Sequence, residues 1–357
     1  MIDLSITNVS IEGLLATAKK VVLFGAGGAG LEAVRFLKEK NIEVLFFCDN
    51  DVKKHGKRVE GVKVFPPEKL KGHSDEIVLI SSDYAKEIGL QIKRLGVREF
   101  YYFGYCFDFY RWYNHFNPEY IKQSIHKIEK ACSLLEDEQS RDMFSALVKF
   151  RLTSDPTLLT VSNFEEYYHP QVKPSPDDVI IDAGAWTGDT AISFSNYLDA
   201  KCKVFSFEPD GHNFGVLLDN LKKSGLENIV EPVKLGLWKD GGFLRFNDST
   251  ENSMQFRVDE AGGKKIEVVS LDEFINEKKT KVDLIKMDIE GSEFEAVKGC
   301  ESILKKFAPK LQICIYHKAD DLWEIPLLIK KINPKYKLSL GVHKQHFIDT
   351  ILYAITD

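Results

Sequence analysis

The sequence predicts an α/β protein of two Rossmann-like domains joined by a helical connector, and three observations predict it. Short apolar runs alternate with stretches of helical periodicity in both halves, the pattern of parallel sheets with crossover helices. A glycine-rich turn follows the first such run in each half, at Gly25–Gly30 and at Gly184–Gly188. Between them, residues 104–165 carry no strand pattern and read as helix. The expected boundaries are 1–103, 104–165 and 166–357.

Composition sets outer limits on function. A chain of 357 residues is long for one compact core and suits two domains. The formal net charge of -6 offers no general attraction to nucleic acid or to an anionic membrane, so neither is an expected partner. No apolar run reaches the roughly 18 residues of a membrane span, and the N-terminus lacks a basic stretch before an apolar core. The 6 cysteines are scattered with no CxxC pair, which fits buried thiols in a reducing compartment. A cytoplasmic protein is expected.

In the first half, Val21–Phe24 is a buried parallel strand and the glycine turn follows it at once. Leu31, Val34 and Leu37 then recur at helical spacing. Ile42–Phe47 is a second strand, closing on Asp49-Asn50-Asp51, and VKVF, EIVLI and REFYYF supply three more around the helix YAKEIGLQIKRL. Gly25, Gly27 and Gly30 satisfy GxGxxG with Gly28 beside them, and Asp49 lies about twenty residues on, as in dinucleotide sites. That pattern alone points to NAD, and an NAD-dependent oxidoreductase is one reading of the chain. The domain is short, however, and shows no second half that would set a nicotinamide against a substrate. A non-catalytic nucleotide-binding protein is another reading, and a domain kept for packing alone is a third.

The connector opens with Tyr105, Phe107, Phe109, Tyr110, Trp112 and Tyr113, which suit burial between domains or a lid over a substrate. A helix through EYIKQSIHKIEKACSLL follows, with Ile121, Ile125, Ile128 and Cys132 on one face.

In the second half, the strand VIIDA runs into Gly184-Ala185-Trp186-Thr187-Gly188-Asp189 and then the helix TAISFSNYL. VFSFEP is a strand ending in Glu208-Pro209, and HNFGVLLDNLKKSG is a helix with Phe214, Leu217, Leu218 and Leu221 on one side. A third strand through NIVEPVKLGLW leads into a hairpin-like insertion at Gly241-Gly242. VDLIKMDIEG ends in Asp288 and Glu290 before one helix FEAVKGCESILKKF, and LQICIYH ends in His317. Two C-terminal strands complete the sheet in antiparallel fashion.

These endpoints sketch a cofactor site, because open α/β sheets bind ligands beyond the carboxyl ends of their strands. Gly184 and Gly188 admit close backbone approach. Asp182 and Asp189 suit a cationic amino group, and the Glu208 carboxylate suits two ribose hydroxyls. The turn lacks GxGxxG spacing, so a cationic, acid-seeking cofactor fits better than a pyrophosphate.

The segments VIIDAGAWTGDTAISF, VFSFEPDGHNFGVLLDNL, VSLDEFI and VDLIKMDIEGSEFEAVKG, in that order, resemble FkbM-type methyltransferases over about residues 166–357. The resemblance implies a seven-stranded class I fold and S-adenosyl-L-methionine as methyl donor. It also implies an acceptor hydroxyl on a sugar, nucleotide-sugar or glycan precursor. It carries Asp182, Gly184, Gly188 and Glu208 to cofactor positions, with Ala185, Thr187, Asp189, Pro209 and Asp288 around them. Asp288, Glu290 and Gly291 fall at an acidic motif beside the acceptor, and Ala185-Trp186 departs from the usual pair in the first turn. Separately, residues 19–103 resemble the small nucleotide-sugar-binding domain of bacterial sugar acetyltransferases, which implies a nucleoside diphosphate-sugar at Gly25, Gly27, Gly28, Gly30 and Asp49.

Methyl transfer from a sulfonium is an in-line displacement, and a poorly nucleophilic sugar hydroxyl benefits from a base. The sequence offers His317 or Asp288 for that base, with Glu290 orienting the acceptor. A strand-end histidine satisfied by a backbone carbonyl is the competing reading of His317. No metal is expected, although Asp288 and Glu290 could hold a divalent ion. Asp320 and Asp321 read as helix-capping or solvated charges.

Overall fold

A computed structural model describes residues 11–104, 114–246, 263–345 and 348–357. Its chain divides into two units. One comprises Met1–Glu129, Asp142–Val161 and Val342–Ile348; the other comprises Lys130–Arg141, Ser162–Gly341 and Asp349–Asp357. The aromatic run from Tyr105 to Tyr113 lies outside the described residues.

The first unit is built on strands β1 (Lys20–Phe24), β2 (Glu43–Cys48), β3 (Arg58–Val59), β4 (Val62–Phe65), β5 (Val78–Ile80) and β6 (Phe100–Tyr102), ordered β3-β4-β2-β1-β5-β6. Every pairing is parallel except β3 with β4. Val21, Val22 and Leu23 have no exposed surface, as apolar runs in a two-sided sheet should. The helix Gly28–Glu39 crosses over with Ala33, Val34 and Leu37 buried.

The second unit holds β7 (Val179–Ala183), β8 (Lys203–Phe207), β9 (Val230–Val233), β10 (Gly236–Leu237), β11 (Gly242–Phe246), β12 (Lys264–Val269), β13 (Leu284–Met287), β14 (Lys310–Cys314), β15 (Lys337–Val342) and β16 (Thr350–Ile355). Seven of them form one sheet, ordered β15-β16-β14-β13-β7-β8-β9. Within it β14, β13, β7, β8 and β9 pair in parallel, and β16 runs antiparallel to β14. The strand order reverses between β7 and β13, and a topological switch point of this kind is where open α/β sheets bind ligands. The fold is the mixed α/β architecture that the sequence predicted.

Three elements differ from the periodicity. The single helix expected through residues 119–135 is broken into Pro118–Gln123 and Ile125–Ser133 at Ser124, whose N–H reaches both Tyr120 O and Ile121 O. Ile121, Ile128, Ala131 and Leu135 are buried, while Ile125 and Cys132 are half-buried. The expected helix over FEAVKGCESILKKF divides into Glu293–Lys298 and Glu301–Lys306 at Gly299, which backs so closely on Trp238 that a Cβ there would lie 2.2 Å from its carbonyl oxygen. The expected third strand ends at Val233, and Gly236–Leu237 joins β12 and β11 in a separate three-stranded sheet.

Candidate active site

Asp182, at the end of β7, is fully buried. Its Oδ1 lies 3.1 Å from Lys286 Nζ of β13, itself 3% exposed, and Ser206 Oγ lies 3.5 Å from Oδ2. Burial works against both charges, yet the ammonium is held above its ordinary range by Asp182 and Asp288. Lys286 Nζ also donates to Gly184 O at 2.9 Å. The pair therefore ties β7 to β13 just beneath the turn, and Asp182 faces Lys286 rather than solvent.

Gly184 follows at φ +74°, and a Cβ there would fall 1.7 Å from Asp288 O. Only glycine lets the ends of β7 and β13 come this close. Ala185 is buried, and Thr187 O accepts from Asn220 Nδ2 at 2.9 Å. Gly188, also left-handed, precedes the helix Asp189–Tyr197, with exposed Asp189 in its first turn. Trp186 is 51% exposed at φ +46°, so this turn presents an indole to solvent.

Glu208 ends β8 beside it, 6% exposed. Its two oxygens accept from Trp186 N at 2.9 Å and Asp210 N at 2.8 Å. Burial pushes its carboxyl up to about 7, and those two N–H groups pull the other way. The Asn213 side chain adds a third hydrogen bond to the carboxylate, whose four lone-pair sites leave room for a ligand as well. Pro209 leads to Asp210, which caps the helix Gly211–Ser224 through His212 N and Asn213 N.

On the other side of the switch point, Asp288, Glu290, Glu293 and His317 converge. His317 is 2% exposed and stands among three carboxylates. Its Nδ1 is 2.9 Å from Glu293 Oε1, and its Nε2 is 3.4 Å from Asp288 Oδ1 and 3.5 Å from Glu290 Oε2. Tyr316 Oη donates to Asp288 Oδ1 at 3.2 Å. Glu293 has no exposed surface and accepts from Ile289 N at 2.8 Å. The side chains of Asp288 and Glu290 are 27% and 33% exposed, so the cluster opens to solvent through them. Burial would strip His317 of its proton, but Glu293, Glu290 and Asp288 more than offset that and raise it to about 10. Glu290 is raised to about 8 by burial and by the carboxylates of Asp288 and Glu293, with His317 opposing.

Residues 182–347 match the methyltransferase FkbM domain. This segment is an FkbM methyltransferase domain. A hexuronic acid methyltransferase, AglP, of Haloferax volcanii is 30% identical over 170 residues, 47% of this chain and 66% of that protein, so the chain spans just under two thirds of that relative's length. A solved structure of methyltransferase FkbM from Methylobacillus flagellatus superposes with a TM-score of 0.73 at 21% identity, covering 97% of this chain and 93% of that one, and shows the same fold. Residues 17–100 match a second family, described as C2185-like, N-terminal.

Outside the FkbM domain, the predicted nucleotide-site residues of the first unit come together at the β1 turn. Gly25 and Gly30 are packing glycines: a Cβ on the first would meet Ser81 O at 2.3 Å, and on the second Gly25 O at 2.0 Å. Gly27 and Gly28 face open space at the start of the helix Gly28–Glu39. Asp49 accepts from Ala26 N at 2.7 Å, Asp51 N at 2.8 Å and Lys54 Nζ at 2.9 Å. Its carboxylate thus fastens β2 to the glycine turn.

Four residues at this candidate site escaped the sequence reading. Glu293 is the last letter of DIEGSE, yet its role shows only once a helix start folds it under His317. Tyr316 and Lys286 sit inside apolar strand patterns. Asp321, read as a cap or solvated charge, is 2% exposed, accepts from Lys318 N at 2.9 Å, and is raised to about 8 by burial and nearby Glu293. Asp320 directly precedes the helix Asp321–Ile332 and makes no side-chain cap hydrogen bond. Among the described residues, no helix is long and apolar enough to cross a membrane.

Proposed function

We propose that the chain is an S-adenosylmethionine-dependent O-methyltransferase acting on a hydroxyl of a sugar, nucleotide-sugar or glycan precursor. The observation that carries this reading is the arrangement of Glu208 and the β7 turn against Asp288 and Glu290 across one switch point. A donor there has its ribose hydroxyls on Glu208, its body along Gly184–Gly188, and its sulfonium toward the acidic cluster. Gly184, Ala185, Thr187, Gly188, Asp189, Glu208, Pro209 and Asp288 line it, and Asp182 acts from beneath through Lys286. The hexuronic acid named for the Haloferax volcanii relative favours a sugar acceptor.

In the reaction, the acceptor oxygen forms a bond to the methyl carbon as the carbon–sulfur bond breaks. The electron pair stays on sulfur, which becomes neutral, and the acceptor proton passes to a protein base. His317 and Asp288 are the two candidates. The carboxylates around His317 keep its proton on near neutrality, which leaves Asp288 as the acceptor of that proton and His317 as its positioning partner. Glu290 orients the acceptor. The Gly25–Gly30 turn, with Gly27 and Gly28 open, supports a role for the first unit in holding the nucleotide portion of a nucleotide-sugar. In that reading Asp49 shapes the turn rather than touching a ribose.

Calorimetric titration with S-adenosylhomocysteine tests the donor site, with NAD and uridine diphosphate in parallel. Binding of S-adenosylhomocysteine that is lost in Glu208→Ala supports it; binding of NAD alone overturns it in favour of an oxidoreductase.

A further inference from the structure

We infer that Asp288, Glu290 and His317 form a binding site for one divalent metal ion, with Glu293 as the carboxylate that orients the histidine. The argument begins with the histidine. His317 is almost wholly buried, and its Nε2 has no hydrogen-bond partner among the described residues. Glu293 Oε2 is likewise buried without one. An unpartnered buried polar atom is costly, so Nε2, set beside the partly exposed Asp288 and Glu290, points to a missing partner.

The distances fit a cation. Two ligand atoms at roughly 2.1 Å from one ion stand roughly 3.0–3.4 Å apart. Nε2 lies 3.4 Å from Asp288 Oδ1, at the upper end of that range, and 3.5 Å from Glu290 Oε2, just beyond it. Ligand atoms of Asp288, Glu293 and His317 all fall within 4.8 Å of one another, and Glu290 joins them through its 3.5 Å approach to His317 Nε2. Glu293 sits against Nδ1 at 2.9 Å, which favours the proton on that nitrogen and leaves Nε2 to the ion. A carboxylate behind the far nitrogen is the usual support of a metal-binding histidine. Two carboxylates and one imidazole suit a hard or borderline divalent ion such as Mg²⁺ or Mn²⁺.

The charge balance points the same way. Three carboxylates that crowd one imidazole are as well placed to hold a dication as a proton, and binding would exchange one for the other. The partly exposed faces of Asp288 and Glu290 leave coordination positions open on the solvent side. An acceptor hydroxyl placed there would be made more acidic, and the second oxygen of Asp288 would take its proton. This last role rests on the methyltransferase reading; the binding of the ion does not.

The test uses the full chain stripped of metal and titrated with Mn²⁺, the free ion being followed by electron paramagnetic resonance. One Mn²⁺ per chain is expected. D288N and E290Q, both at partly exposed positions, should each weaken it tenfold or more, and E293Q should weaken it roughly 10- to 100-fold. Wild-type protein that takes up no Mn²⁺ at millimolar concentration overturns the proposal. So do D288N and E290Q proteins that melt like the wild type and bind as it does. S-adenosylhomocysteine titrated into the same samples separates the two claims. Donor binding without Mn²⁺ sinks the metal site alone, and Mn²⁺ binding without donor binding sinks the methyltransferase reading alone.

Discussion

His317 Nδ1 lies 2.9 Å from Glu293 Oε1, and both side chains are closed off from solvent. The contact sets how folding depends on pH. Burial works against the imidazolium, yet Glu293, Glu290 and Asp288 raise His317 from 6.5 to about 10. A group raised on folding contributes stability that is complete below its unfolded value and is lost as pH climbs through the folded one. His317 therefore costs stability between about 6.5 and 10. Glu290 and Asp321, both raised to about 8, act in the same direction from about 4 upward. The urea midpoint should fall steadily from pH 5 to pH 10, and Glu293→Gln should flatten its alkaline limb. Midpoints level with pH in the wild-type protein would remove this account.

Asp182 and Lys286 form a buried pair, and breaking such a pair costs more than deleting it. Lys286→Met should destabilise the protein by about 3–5 kcal/mol, because it strands a buried carboxylate. Asp182→Asn combined with Lys286→Met should recover much of that loss in urea denaturation. The double variant also separates two roles for Asp182. If it acts on the donor only by holding the β7 turn, affinity for S-adenosylhomocysteine returns along with stability.

The fold was legible because its signals are local. Apolar runs such as Val21–Phe24, glycines at strand ends and acids such as Glu208 follow directly from what a two-sided sheet and its switch point demand. The breaks at Ser124 and Gly299 were not legible, since Gly299 answers to the Trp238 carbonyl of a distant segment. Asp288, Glu290 and His317 stood out as strand-end residues, and the fold brings them together. Glu293 and Lys286 were missed because their partners lie on other strands, and an isolated glutamate or lysine in a sequence looks like a solvated charge. Asp49 adds something spacing did not show: its carboxylate accepts from Ala26 N, Asp51 N and Lys54 Nζ.

Gly27 and Gly30 occupy equivalent letters of one motif but meet different surroundings. Gly30→Ala would drive a Cβ to 2.0 Å from Gly25 O, and overpacking of this kind costs about 1–3 kcal/mol or more. Gly27→Ala enters open space and should leave stability within about 0.5 kcal/mol of wild type. Thermal melts check both. If the turn holds a nucleoside diphosphate, Gly27→Ala should nonetheless weaken uridine diphosphate in calorimetry, since the methyl group obstructs the backbone approach. Unchanged affinity would move that ligand elsewhere.

Glu208 links donor affinity to pH. Burial raises its carboxyl from 4.5 to about 7, against the pull of Asp210 N and Trp186 N, so near neutrality a sizeable share of the protein carries it protonated. Accepting two ribose hydroxyls calls for the carboxylate. Affinity for S-adenosylhomocysteine should therefore rise between pH 6 and pH 8, and binding near pH 7 should release part of a proton. Calorimetry in buffers of different ionisation enthalpy measures that release. Glu208→Gln should weaken binding at pH 8 by about 1.5–3 kcal/mol, the worth of hydrogen bonds to a charged group, and abolish the release. The ligand's own amino group titrates identically in both proteins, so their difference isolates Glu208. A variant with the wild-type pH slope would mean that the ribose is held by another group, and the donor would have to be turned within the β7–β8 crevice.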